Sequence, residues 1–135
     1  MAGYDGLFAS GPLGAVMQLS VSESRGTAVV SVSGELDVAT TPELRQFLHA
    51  CIDNGASVLI VDLTAVAFLD STALSVFVGV HKRLRDEPGG LTLVSPYERL
   101  LRIFRMTGLD RVFTIVAELP DAPATEQAAR PANPN

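Results

Sequence analysis

Phe68-Leu69-Asp70-Ser71-Thr72-Ala73-Leu74-Ser75-Val76-Phe77-Val78-Gly79-Val80 passes within a few residues from an apolar approach, through a polar triplet, into an amphipathic run. The approach begins at Val58-Leu59-Ile60-Val61-Asp62-Leu63, an almost unbroken apolar segment. Such a segment predicts a strand covered on both faces, the central strand of a parallel or mixed sheet with helices packed on it. After Asp70 the pattern turns helical. Ala73, Phe77, Val80 and Leu84 share one stripe, while Ser71, Ser75, Val78 and Lys82 follow one another along a second that is free to face a partner. Asp70 suits the cap of this helix, because its carboxylate can accept bonds from backbone N–H groups two and three residues ahead. Ser71 then takes the first helical position with its hydroxyl outward. That is good substrate geometry for a kinase, and a phosphate there would add roughly 1.5 to 2 negative charges at neutral pH.

Upstream, Met17, Leu19 and Val21 alternate with polar residues, and the alternation resumes at Ala28, Val30 and Val32 after a turn near Arg25 and Gly26. Two antiparallel strands fit this pattern, the second closing at Gly34-Glu35-Leu36-Asp37. A helix follows, with Thr41 as cap, Pro42 in the first turn and Glu43 where the helix dipole favours negative charge. Its apolar positions are Leu44, Phe47, Leu48, Cys51 and Ile52, and Asn54 with Gly55 ends it. Downstream, Pro88-Gly89-Gly90 predicts a turn, Leu91 to Val94 a strand, Ser95-Pro96 the start of a helix that stops at Gly108, and Val112 to Val116 a last short strand. Residues 1–15, with four glycines, read as a flexible leader. Residues 119–135 read as a flexible Pro/Ala-rich tail, with a weak helical turn near Ala124 to Ala129. The expected architecture is therefore one α/β domain over 16–118, with a mixed central sheet of about five strands, three to four helices and the order β-β-α-β-α-β-α-β.

Length and composition agree with one packed domain, since the 135 residues are 47% hydrophobic and 19% charged. Ten basic against fifteen acidic residues leave a net charge of −5, which argues against binding that neutralises phosphates, so nucleic acid is not an expected partner. Cys51, the single cysteine, cannot form an internal disulfide and is consistent with a reducing cytoplasm. No apolar run reaches the roughly 18 to 20 residues of a membrane span, and the first residues lack a signal-peptide pattern, so a soluble cytoplasmic protein is expected. Neither a glycine-rich phosphate loop nor a serine-hydrolase elbow occurs, and His49 and His81 have no Cys or His at ligand spacing. A non-enzyme without metal or cofactor is the expectation.

Three stretches carry a resemblance. They are Gly34-Glu35-Leu36-Asp37 with Thr41 and Leu44; Val61-Asp62-Leu63 leading to Phe68-Leu69-Asp70-Ser71-Thr72; and Arg99-Leu100-Leu101 with Thr107-Gly108-Leu109 and Val112-Phe113. In this order, over roughly residues 15 to 117, they resemble the STAS domain of bacterial anti-sigma factor antagonists. The resemblance implies a switch protein that, unphosphorylated, binds an anti-sigma factor that is also a serine kinase and so frees a sigma factor. Phosphorylation of the serine after the motif's aspartate ends binding, and a serine phosphatase restores it. That serine is here Ser71, and ATP would be bound by the kinase. Glu35, Asp37, Asp70, Thr72, Ser75, Val78 and Lys82 join it as expected partner-binding residues. Two positions depart from the family, Ala73 and Ser75, where glycine is frequent; Ser75 adds a side chain on the face of Ser71.

Blander readings stand beside these. Asp70, Ser71 and Thr72 are common at helix starts in general. Glu35 and Asp37 serve equally as turn residues at a strand end. Arg99, Arg102 and Arg105 read as a solvated basic stripe, and Tyr97 as a packing residue. Two rival functions remain open: a response-regulator receiver phosphorylated on Asp62, and a STAS scaffold module whose serine is silent.

Overall fold

Val21, Val30, Val61, Leu93 and Ile115 stand side by side across five strands in register, forming one row of the sheet's buried face. The computed structural model describes residues 6–10 as backbone only, and residues 17–95 and 97–120. In chain order the elements are β1 (Gly6–Ser10), β2 (Met17–Ser24), β3 (Thr27–Leu36), α1 (Thr41–Asp53), β4 (Val58–Leu69), α2 (Ser71–Leu84), β5 (Leu91–Val94), α3 (Glu98–Met106), a 3-10 turn (Leu109–Arg111) and β6 (Thr114–Val116). The strands lie in sequence order. β1, β2 and β3 are antiparallel neighbours, and β3 through β6 run parallel.

Each parallel step needs a crossover, and right-handed crossovers between neighbouring strands place successive helices on the same face. The contacts agree. Phe113 meets Phe77 of α2 and Phe104 of α3 edge-on, with ring centroids 6.4 and 6.1 Å apart. Arg83 of α2 reaches Asp53 of α1 at 2.8 Å. Beneath the helices the sheet contributes Leu19, Val30, Val32, Leu59, Val61, Leu63 and Leu93, all essentially inaccessible. The opposite face is more polar, with Ser20, Ser31 and Asp62 paired in one row.

The expected domain, with β2 to β6 in the predicted order and three helices, is the fold observed. Several boundaries differ. Gly6–Ser10, expected in a flexible leader, forms an antiparallel edge strand on β2, so the sheet has six strands. The rest of the leader, and the tail beyond Pro120 with the turn expected near Ala124, lie outside the described residues. Thr40, not Thr41, occupies the cap position of α1, and its hydroxyl turns back to the Glu35 carbonyl at 2.8 Å instead of onto the helix N–H groups. α3 starts at Glu98 instead of Ser95. The last strand begins at Thr114, because Leu109 to Arg111 complete a 3-10 turn and Val112 and Phe113 hydrogen-bond back to Leu109.

The largest difference is in β4, which continues six residues past Leu63. Its pairing with β3 slips twice. Ser31 and Ser33 oppose Asp62 and Ala65, and Gly34 and Glu35 oppose Val66 and Phe68, so β4 carries one extra residue at each slip. Bulges of this kind bend a strand and re-aim its side chains. Burial consequently recurs at Leu63, Val66 and Leu69, a period of three that no regular strand shows.

Candidate functional site

β3 and β4 end side by side. Glu35 is registered against Phe68 and Leu36 against Leu69, and the Asp70 N–H donates to the Leu36 carbonyl at 3.1 Å. The chain then enters α2. Asp70 is extended, and one carboxylate oxygen accepts both the Thr72 N–H, at 2.9 Å, and the Thr72 hydroxyl. Thr72 is thus half-buried and committed to the cap. Ser75 is exposed, but its hydroxyl donates to the Ser71 carbonyl at 3.2 Å, one turn back. Ser71, directly before Thr72, is exposed, and among the described residues its hydroxyl has no hydrogen-bond partner. Sequence position alone does not separate these three hydroxyls; their bonding does.

Beside Ser71 the β3 end folds into a tight turn. The Asp37 carboxylate accepts from the N–H groups of Ala39, at 2.9 Å, and Thr40, at 3.3 Å, while its carbonyl accepts from Thr41. The Thr40 hydroxyl, bonded to the Glu35 carbonyl, closes the turn from behind. Val38 at its tip is consequently held in solvent, 73% exposed, and Phe68 is 49% exposed. These two apolar side chains belong to the same sheet end and were not legible as site residues.

Of the expected partner-binding residues, Glu35, Asp37, Asp70, Ser71, Thr72 and Ser75 gather at this end of the molecule. Glu35 is exposed, and Asp37 already uses its carboxylate to build the turn. Val78 and Lys82 do not join them. Val78 is half-buried against the core, and Lys82, exposed, lies about 16 Å further along the helix axis at 1.5 Å per residue. Tyr97 is 42% exposed rather than packed inside, and Arg99 is not simply solvated: its guanidinium lies 5.4 Å from the Tyr97 ring and reaches the carbonyls of Val66 and Ala67.

Asp62 sits in the middle of β4, seven residues before its end, and its carboxylate accepts the N–H and hydroxyl of Thr64 at the first bulge. A receiver phosphorylated on Asp62 would need that carboxylate free and an acidic pair near it to hold a metal ion; Asp62 is engaged by Thr64, and among the described residues no group of three His, Cys, Asp or Glu is arranged to hold a metal ion. No helix among them is long and apolar enough to cross a membrane.

Comparison with known proteins bears on this geometry. The STAS domain profile matches residues 18–122. The anti-sigma-B factor antagonist of Bacillus subtilis is 36% identical over 102 residues, covering 76% of this chain and 93% of that protein. The crystal structure of an anti-sigma factor antagonist from Mycobacterium paratuberculosis superimposes with a TM-score of 0.72 at 35% identity, covering 78% of this chain and 90% of that one. The Bacillus cell fate determinant SpoIIAA in its phosphorylated form shares the fold, with a TM-score of 0.58 at 23% identity over 83% of this chain and 97% of that one. With the profile spanning every element from β2 to β6, this chain belongs to the STAS domain family.

Proposed function

We propose that this protein is an anti-sigma factor antagonist whose partner is an anti-sigma factor with serine kinase activity, and that phosphorylation of Ser71 ends their association. The single observation behind this reading is that, in a run of three hydroxyl residues on one helix turn and a half, Ser71 is both exposed and unbonded. The names of the Bacillus subtilis and Mycobacterium paratuberculosis relatives support the antagonist role.

The physics of the switch follows from the surroundings. A helix N-terminus favours an anion, so a phosphate on Ser71 leaves α2 intact. The penalty falls on the interface. The unphosphorylated surface offers apolar Val38 and Phe68 beside the small Ser71 hydroxyl, chemistry suited to a partner surface that makes an apolar contact there. A dianion at Ser71 adds bulk where a small hydroxyl fitted and places like charge beside Asp70 and any acidic group of the partner. Each 1.4 kcal/mol lost is tenfold in affinity, so the loss of a few contacts suffices to release the partner. A serine phosphatase acting on the exposed ester completes the cycle, and the protein itself performs no catalysis.

The test is affinity capture from the source cell. Immobilised Ser71→Ala protein is expected to retain one serine kinase, identified by mass spectrometry, and Ser71→Asp protein to lose it. Equal retention by the two variants would overturn the reading.

A further inference from the structure

β5 pairs with β4 only from Leu59 to Asp62, yet β4 runs on to Leu69 with β3 on its other side alone. Among the described residues, one edge of its last third therefore has no strand beside it. Along that same stretch lies the second bulge, where Ala67 is the residue without a partner in β3. A bulge on a strand with a free edge has little to hold its position, and a one-residue displacement would exchange the buried and exposed sides of every residue beyond it. Phe68, Leu69 and the entry to α2 at Asp70 all lie beyond it.

Arg99, near the start of α3, fills this place. Its Nη2 donates to the carbonyls of both Val66 and Ala67, each at 3.4 Å, so one guanidinium nitrogen spans the bulge. The cation is steadied from the other side by the Tyr97 ring. The other arginines of the basic stripe make no such bridge, since Arg105 pairs with Glu98 on the surface and Arg102 is exposed.

We propose that Arg99 is a positioning residue for the switch: by pinning the bulge at Ala67 it sets which side chains β4 delivers to the surface and so holds Phe68 and Ser71 in the arrangement the kinase partner docks on. This rests on the functional reading of Ser71 given above, but it makes a claim about the backbone that stands apart from any partner. A lysine, with a compact ammonium and no planar fork, can serve one carbonyl but does not reproduce the bridge or the stacking on Tyr97.

The test uses the full chain with Arg99→Met, Arg99→Lys and, as a control on the same helix, Arg102→Met. Amide hydrogen exchange followed by NMR reads the backbone, and affinity for the kinase captured by the Ser71→Ala protein reads the docking. With Arg99→Met, exchange at Ala65 to Ser71 is expected to accelerate at least tenfold while Leu59 to Leu63 stay within twofold, and the partner Kd is expected to rise at least tenfold. Arg99→Lys should fall between wild type and Arg99→Met in both readouts, and Arg102→Met should match wild type. Unchanged exchange at Ala65 to Ser71 in Arg99→Met would overturn the proposal, as would faster exchange with an unchanged Kd. Should Arg99→Met fail to fold, Arg99→Lys decides the matter by the same two readouts. A wild-type chain that captures no kinase would instead fail the functional reading, leaving the exchange result to decide the role of Arg99 on the bulge.

Discussion

Thr72 gives both its backbone N–H and its hydroxyl to one oxygen of the Asp70 carboxylate, and Ser71, between them in sequence, is left with a free hydroxyl. The cap thus anchors the helix start and at the same time keeps its most reactive neighbour unengaged. Replacing Asp70 by Ala removes the acceptor of both bonds and should lower unfolding stability by about 1 kcal/mol in urea titration. Phosphorylation of Ser71 should slow in the same variant, because the first turn of α2 frays. Thr72→Ser, which retains both donors, should behave as wild type.

Val38 and Phe68 are exposed on a rigid turn and a bulged strand, so truncating them changes little in the folded chain. The double variant Val38→Ser and Phe68→Ser should stay within about 1 kcal/mol of wild type in stability, as surface changes generally do. Partner affinity should nonetheless fall by at least tenfold. Val112, exposed on the far side of the 3-10 turn, provides the control: Val112→Ser should leave affinity unaltered. Isothermal titration of the three proteins checks this.

His49 joins α1 to α2. Its Nδ1 lies 3.1 Å from Nη1 of Arg83, and because a guanidinium only donates, Nδ1 must be the acceptor of a neutral ring. Burial lowers its pKa below 6.5, the Arg83 guanidinium lowers it further, the Asp53 carboxylate opposes them, and Arg45 adds a small push downward. Below that value the unfolded chain binds a proton that the folded chain resists. Stability supported by the neutral ring is therefore present above pH 6.5 and is lost as pH falls through the lowered folded value. Urea midpoints measured from pH 7.5 down to 5 should fall more steeply for wild type than for His49→Gln.

Cys51 is buried under α1, and burial, with the Glu23 carboxylate second, pushes its thiol up to about 11. At pH 8 only about one thiol in a thousand is then ionised, and the thiolate is the reactive form. Alkylation by iodoacetamide should be at least a hundredfold slower in the native protein than in urea. Comparable rates would mean that α1 opens readily.

Most of the fold was legible because its signals are local. The alternation of Met17, Leu19 and Val21 and the stripe Ala73, Phe77, Val80, Leu84 follow from burying one face, the apolar run Val58 to Leu63 from covering both, and all of their apolar side chains are inside except Val58, which is half-covered. What escaped is what tertiary context decides. The second half of β4 shows a period of three because two bulges interrupt it, so alternation stops at Leu63 although the strand does not. Gly6–Ser10 has no pattern of its own and is a strand only because β2 offers it an edge. The cap of α1 moved by one residue because the Thr40 hydroxyl prefers the Glu35 carbonyl to the helix, a choice set by the turn at Asp37. At the site, Asp70 and Ser71 were legible from capping chemistry. Val38, Phe68 and Arg99 were not, since exposure of the first two and the reach of the third depend on which strand ends lie together.

The central claim is that one hydroxyl decides docking. Its most direct test is calorimetric titration of the captured kinase, held with a non-hydrolysable nucleotide, against the same preparation of this protein before and after phosphorylation, with the modified residue mapped by mass spectrometry. The account predicts phosphate on Ser71 alone and a Kd at least a hundredfold weaker, about 2.7 kcal/mol, for the phosphorylated form. Phosphate on Thr72 or Ser75, or an equal Kd for the two forms, would contradict it.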